Sequence, residues 1–327
     1  MAGKQQTHYE IDMCNGPILS KMLRFSIPLM CSSVLQLLFN AADIVVVGRW
    51  AGDNSLAAVG SNTALIGLLT NLFVGLAVGA NTLAAKYYGA RDRDELHRVV
   101  HTSILLSIIS GLLLTVVGVF GARTILVWMQ TPENVLDLAT LYLRIYFLGM
   151  TATMVYNFGA ALLRAEGDTQ RPLYFLCLSS VMNIGLDLLF IVPFHFGVLG
   201  AALATDISQV ISGVLSFIYL RRKFDVLKME KDDLAFSKKA SIRLLGIGVP
   251  MGLQCSITAI GSVIMQWAVN VLGSTAVAAV TAASKTMNLL TVPLESVGTA
   301  MATYSGQNLG AARMDRVRKG VTSALLI

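Results

Sequence analysis

Charge is the scarcest property of this sequence. Only 13% of its 327 residues are charged, while 55% are hydrophobic. Soluble domains carry roughly 25% charged residues. The composition therefore argues against an ordinary soluble enzyme or binding domain, and it indicates a chain that lies mostly within a lipid bilayer.

Cysteine and the usual enzyme motifs are also scarce. The four cysteines stand singly with no CxxC pair, and the four histidines show no metal-ligand spacing. There is no P-loop, GxSxG or HExxH motif. We therefore expect no enzymatic activity and no cofactor. Without a nucleotide-binding motif, any uphill transport by this chain would have to draw on an ion gradient or on a separate subunit.

Long apolar runs are abundant, and each is long enough to cross a bilayer as a helix. A ninth run begins at TSALLI and stops at Ile327, where six residues reach only about 9 Å of a core of roughly 30 Å. We expect an all-α polytopic membrane protein with eight full spans and the start of a ninth, its carboxyl-terminal part missing. The predicted spans are 22–48, 55–85, 99–122, 136–163, 172–192, 198–220, 242–272 and 275–305.

Positive residues follow every second span. In the loops on the other side of the membrane the only positive residues are Arg49 and Arg123. By the positive-inside rule this alternation places the amino terminus and the basic loops in the cytoplasm. The net charge of +6 is then explained by loops that face an anionic leaflet, and nucleic-acid binding is not expected.

The chain contains an internal repeat. MLRFSIPL at 22–29 recurs as RLLGIGVPM at 243–251, and KYYGARDRDELHR at 86–98 recurs as QNLGAARMDRVRK at 307–319, an offset of 221 to 222 residues. An even number of spans per unit gives parallel repeats, an arrangement used by secondary transporters. The predicted division is a six-helix lobe at 1–220, a basic linker at 221–241 and the first part of a second lobe at 242–327.

Several motifs resemble one family of transporters. FNAADIVVVGRWAG, LAAVG, YYGARD, LLRAEGDTQRP, NIGLDLLFI and GQNLGAAR are together similar to the prokaryotic members of the multidrug and toxic compound extrusion (MATE) family, over essentially the whole chain. The resemblance implies two six-helix lobes in a V around a cavity. It also implies a monomer in the bacterial inner membrane that exports cationic or amphipathic drugs by alternating access, in antiport against Na⁺ or H⁺.

A related flippase for lipid-linked oligosaccharides is the alternative function. Such a protein is expected to line its cavity with several cationic residues that bind pyrophosphate. The predicted spans carry few cations, namely Arg144 and Lys285. A membrane-embedded enzyme is the alternative from another class, and it lacks a nucleophile or metal constellation in this sequence.

Asp43 is the only charged residue between Phe25 and Gly48. A carboxylate near the bilayer centre costs at least about 2.5 to 3.5 kcal/mol, so it normally has a task. Asp187 is a second such acid, and Asn183 lies four residues before it on the same helical face. The resemblance matches Asp43, Asn183, Asp187 and Thr205 to the family's amino-terminal site for Na⁺ or H⁺. A helix contact satisfied by Asn40 is the alternative for Asp43.

Auxiliary residues are predicted around this site. Pro28 can weaken the first span and allow it to bend, and Tyr142 matches a tyrosine of the family's fourth helix. Glu295 is an acid of the second lobe that can attract cations or relay protons, whereas Asp206 is expected to point away from Thr205. The substrate wall is predicted to include Phe39, Tyr156, Phe158, Met265 and Trp267.

Overall fold

A computed structural model describes residues 10–129, 131–223, 237–270 and 274–327. Within these residues the chain forms α-helices and no strand, which confirms the all-α prediction. The helices are α1 (Ile18–Trp50), α2 (Asp53–Ala90), α3 (Arg93–Trp128), α4 (Glu133–Leu148), α5 (Met150–Ala165), α6 (Gln170–Ile191), α7 (Gly197–Lys223), α8 (Lys238–Asn270), α9 (Ser274–Gly310) and α10 (Met314–Leu325).

The helices match the predicted membrane spans in order. Within the described residues six helices are long and apolar enough to cross a membrane, and the pair α4 and α5 makes a seventh span when it is taken together. Helix α9 covers the predicted eighth span, 275–305, and α10 contains the TSAL of the predicted ninth. The chain is therefore a polytopic membrane protein.

The predicted fourth span, 136–163, is not one straight helix. It is divided at Gly149 into α4 and α5, whose axes differ by 48°. The Thr115 hydroxyl donates to the Phe147 carbonyl at 2.7 Å, so a neighbouring helix satisfies a group near the break. The apolar run is continuous in the sequence, which is why hydropathy alone gave a single span.

The basic linker predicted at 221–241 lies mostly outside the described residues. Helix α7 continues to Lys223, and α8 begins at Lys238. The ends of the predicted linker are therefore helical, because the polar residues beside each apolar run continue the helix past it.

The chain reversals that follow α2 and α9 have the same backbone geometry. After α2 the backbone turns at Arg91 with φ of 57°, and after α9 it turns at Ala312 with φ of 56°. The Arg91 amide donates to the Tyr88 carbonyl at 3.1 Å, as the Ala312 amide does to Leu309. These positions are 221 residues apart, so the sequence repeat corresponds to a repeated structure.

Helix α2 packs against the second repeat through glycine. A Cβ on Gly75 would lie 2.2 Å from the Gly252 backbone, and one on Gly79 would lie 2.7 Å from the amide nitrogen of Gly248. Further along α2, the Asn81 amide donates to the Thr303 hydroxyl at 3.1 Å, and both side chains are buried. Such close approach of backbones is typical of helix contacts within membranes.

Candidate functional site

A polar cavity of about 270 Å³ lies among α1, α4, α5, α6 and α7. Each helix lines it with a stripe of polar or aromatic residues at helical spacing. Helix α1 supplies Gln36, Phe39, Asn40 and Asp43; α4 supplies Tyr142 and Tyr146; α5 supplies Thr153, Tyr156 and Asn157; α6 supplies Leu176, Ser179, Ser180 and Asn183; and α7 supplies Thr205, Ser208 and Gln209.

Asp43 lines this cavity, and its carboxyl group interacts directly with that of Asp187. Asp187 is only 1% exposed. Both Asp187 carboxylate oxygens and Asp43 Oδ1 are buried without a donor among the described residues. Two carboxylates in contact with no donor to either form a strong acceptor site, because a bound cation or proton would relieve their mutual repulsion.

Asn183 and Thr205 line the same cavity as Asp43 and carry neutral oxygen atoms. Asn183 is 7% exposed, and its Nδ2 has no acceptor among the described residues. The Thr205 hydroxyl donates to the Ala201 carbonyl at 3.0 Å, so its lone pairs remain free to accept or to ligate. The resulting set of two carboxylates, an amide oxygen and a hydroxyl fits a small hard cation.

The donor set is poor in the ligands of a transition metal. Among the described residues no three His, Cys, Asp or Glu side chains come together. A cation held here would therefore rely on the neutral oxygens of Asn183 and Thr205 as well as on the two acids. The same acids can bind protons without those neutral ligands.

Aromatic side chains close one side of the cavity. Tyr142 and Tyr146 stack with their ring centroids 6.1 Å apart, and Tyr142 is 8% exposed. The Tyr156 hydroxyl donates to the Pro172 carbonyl at 3.1 Å. Rings of this kind offer π faces to organic cations. The structure therefore brings Asn40, Tyr142, Phe39 and Tyr156 to the predicted site.

Other predicted residues lie elsewhere. Pro28 lies on α1, which continues through it as one helix, and its carbonyl accepts from the Ser32 hydroxyl at 2.9 Å. Glu295 is exposed on α9 and does not line the cavity. Phe158 is 1% exposed within the hydrophobic core, and Met265 is 63% exposed on α8. The Trp267 side chain lies outside the described part of the chain.

Sequence reasoning missed part of the cavity wall. Gln36 precedes Asn40 by four residues and Asp43 by seven, which is a polar stripe on one helical face. Ser208 and Gln209 follow Thr205 at spacings of three and four residues. A search for polar periodicity within the apolar spans would have found these residues together with Tyr146, Thr153, Asn157, Ser179 and Ser180.

Comparisons with known proteins agree with the architecture. The MatE family model matches residues 28–189 and 250–327. The chain is 32% identical over 305 residues to the probable multidrug resistance protein YoeA of Bacillus subtilis, which covers 91% of this chain and 66% of that protein. It is 25% identical to the multidrug export protein MepA of Staphylococcus saprophyticus over 70% of this chain and 51% of that one.

A solved structure agrees over nearly the whole chain. It is the outward-facing conformation of a multidrug resistance MATE family transporter of the MOP superfamily, with a TM-score of 0.89 and 28% identity, covering 98% of this chain and 71% of that chain. The present chain thus spans half to about two thirds of the curated relatives named above. It belongs to the MatE family of multi-pass membrane transporters.

Proposed function

We propose that this chain is a multidrug exporter that moves cationic and amphipathic organic compounds in antiport against Na⁺ or H⁺. The observation that carries the proposal is the contact between Asp43 and Asp187, whose buried oxygens lack donors among the described residues. Multidrug resistance relatives in Bacillus and Staphylococcus support the substrate class. Coupling of this export to Na⁺ or H⁺ is likewise proposed.

The coupling step follows from charge. With both acids ionised, the cavity attracts an organic cation, and the tyrosine rings add a π surface. Binding of Na⁺ or H⁺ at Asp43 and Asp187 neutralises that attraction and favours release of the drug. Asn183 and Thr205 complete the ligands for Na⁺. Alternating access follows as α1 repacks around the ion, with Pro28 as its weak point.

The cavity chemistry favours this function over a lipid-linked oligosaccharide flippase. The described residues that line the cavity include Asp43 and no Lys or Arg. A pyrophosphate group would meet a negative and aromatic wall there, which disfavours an anionic substrate.

The proposal also assigns the chain its place in the membrane. The loops rich in Lys and Arg and the amino terminus lie in the cytoplasm, and the protein lies in the bacterial inner membrane. The transporting unit is a monomer in which 1–220 and 242–327 belong to two parallel lobes of a V-shaped, twelve-helix transporter, joined by 221–241. Exposed Glu295 gives the second lobe an acid that can attract cations.

The test is efflux from proteoliposomes loaded with ethidium. We expect export that requires an imposed Na⁺ or H⁺ gradient, that collapses with an ionophore and that needs no ATP. Export that is undiminished after the gradient has been discharged would contradict antiport.

A further inference from the structure

A carboxylate from another helix lies at the bend between α4 and α5. Asp206 of α7 lies against Gly149, so that a Cβ added to this glycine would meet Asp206 Oδ1 at 2.4 Å. The Gly149 backbone amide interacts with the Asp206 carboxylate and is also directed at the Phe147 carbonyl. A side chain at position 149 would displace this carboxylate, because its Cβ would lie where the oxygen lies.

The position of this carboxylate suits the end of a helix. Gly149 immediately precedes α5, whose first amides lack partners within the helix and carry a partial positive charge. Backbone groups at membrane depth cost several kcal/mol when they are unsatisfied. The Thr115 hydroxyl bonds Phe147 on the other side of the break at 2.7 Å. Asp206 and Thr115 thus satisfy one donor and one acceptor of the bend.

The bend sets the shape of the polar cavity. Tyr142 and Tyr146 lie on the cavity before the break, and Tyr156 and Asn157 lie on it after the break. The angle of 48° therefore decides how these two groups of side chains face each other. Asp206 itself is not among the residues that line the cavity. It contacts Gly149 at the bend and interacts electrostatically with Tyr142 and Tyr146 of the cavity wall.

We infer that Asp206 is a positioning residue for substrate binding: its contact with Gly149 fixes the bend of the fourth span and thereby the aromatic wall that receives an organic cation. This inference rests on the proposed function for the identity of the substrate. It assigns a role to an acid that is separate from the Asp43 and Asp187 pair.

Equilibrium binding of ethidium to the purified protein, with no ion gradient, tests the inference. Gly149→Ala should push the carboxylate away, and Asp206→Ala should remove it. Each should weaken binding by about tenfold. Asp206→Asn keeps an oxygen that accepts from the Gly149 amide and should stay within about threefold of the wild type. Ser212→Ala, a buried change on the same helix, is the control and should bind as the wild type does.

The double variant Gly149→Ala/Asp206→Ala separates positioning from packing. It relieves the steric clash and still lacks the carboxylate, so it should bind as weakly as Asp206→Ala alone. Recovery of wild-type affinity in the double variant would overturn the inference, and so would wild-type affinity in Asp206→Ala. If Asp206→Ala does not fold, the ethidium affinities of Asp206→Asn and Gly149→Ala are compared instead. An equal loss of affinity in these two variants would contradict the inference, because Asp206→Asn keeps an oxygen beside the Gly149 amide.

The result is independent of ion coupling. Ion-driven efflux in the Asp43→Asn variant reports on the proposed function, whereas the affinities above report on the bend. Loss of ion response in Asp43→Asn together with unchanged affinity in all Asp206 variants would contradict this inference alone.

Discussion

Helices α1 and α8 occupy corresponding places in the two repeats and differ at one decisive position. Pro28 of α1 corresponds to Pro250 of α8, so both helices contain a proline at the same point. At the same offset Asp43 corresponds to Met265. Asp43 lines the cavity and interacts with Asp187, whereas the Met265 side chain is 63% exposed.

The difference indicates which features belong to the scaffold and which to the chemistry. Both repeats keep the proline and the chain reversals at Arg91 and Ala312. Only the first copy carries the acid at the position of Asp43. The repeated prolines and chain reversals therefore belong to the scaffold, whereas the acid at position 43 belongs to the proposed ion site of the first repeat.

The largest expected effect comes from removing charge in the first copy alone. Asp43→Asn and Asp187→Asn keep side-chain volume and polarity, and we expect each to reduce gradient-driven ethidium efflux to the level of empty vesicles. Met265→Asn places the same asparagine at the corresponding position of α8, where there is no charge to remove, and should leave efflux near the wild-type rate. If efflux falls as far in Met265→Asn as in the two Asp variants, the proposed difference between α1 and α8 is wrong.

The second-largest effect is expected where helix α2 packs against the second repeat. In Gly75→Ala the new methyl group meets the Gly252 backbone at 2.2 Å, and overpacking of this kind costs about 1 to 3 kcal/mol. Gly67→Ala on the same helix is the control, since nothing lies within 4 Å of its added Cβ. Thermal unfolding in detergent should show a lower Tm for Gly75→Ala only. A Tm unchanged in both variants would mean that the helices separate at little cost.

Neutral ligands of the ion site should matter less than its acids. Asn183→Ala and Thr205→Ala each remove one oxygen, and we expect a loss of about 1 kcal/mol in Na⁺ affinity with residual transport. Ser296→Ala in the second repeat removes a hydroxyl that bonds its own helix at Val292, as Thr205 bonds Ala201. Sodium titration of drug release measures the difference. Equal affinity in the Thr205 and Ser296 variants would exclude Thr205 as a ligand.

The smallest effect is expected at an ion pair between the repeats. Arg243 of α8 lies 3.5 Å from Glu95 of α3, and its side chain is 43% exposed. Solvent screening limits such pairs to about 0.2 to 1 kcal/mol. Arg243→Gln should lower the Tm slightly at low salt and less at high salt. Arg123→Gln, which breaks an exposed pair with Asp137 inside the first repeat, is the comparison. Arg243 also donates a hydrogen bond to the Tyr87 hydroxyl, and a salt-independent loss would show that this bond outweighs the ion pair.

The sequence alone predicted much of the architecture. Apolar runs predicted the order of the helices. The matched chain reversals at Arg91 and Ala312 lie within the repeated segments 86–98 and 307–319, because similar local motifs form similar turns. Asp43 and Asp187 could be singled out because buried charge is costly in a membrane. Their contact could not be derived from periodicity, which gives the face of a helix and not its neighbour. Family resemblance supplied that pairing.

The break at Gly149 could not be predicted from hydropathy. Glycine is common in membrane helices, and most such glycines lie in unbroken ones. Two tertiary contacts mark the break: the carboxylate of Asp206 from α7 lies against Gly149, and the hydroxyl of Thr115 from α3 donates to the Phe147 carbonyl. For the same reason the helical spacing correctly gave Asp206 a different direction from Thr205 but could not show what it touches.

Displacement of a bound cation at equilibrium tests the central claim most directly. Ethidium bound to purified protein is titrated with Na⁺ at constant pH and with acid at constant Na⁺, in the wild type, Asp43→Asn, Asp187→Asn and Met265→Asn. Because coupling between two ligands is reciprocal, the wild type and Met265→Asn should release ethidium as the coupling ion binds, and neither Asp variant should respond to it. Release in both Asp variants at the wild-type ion concentration would show that the coupling site lies elsewhere.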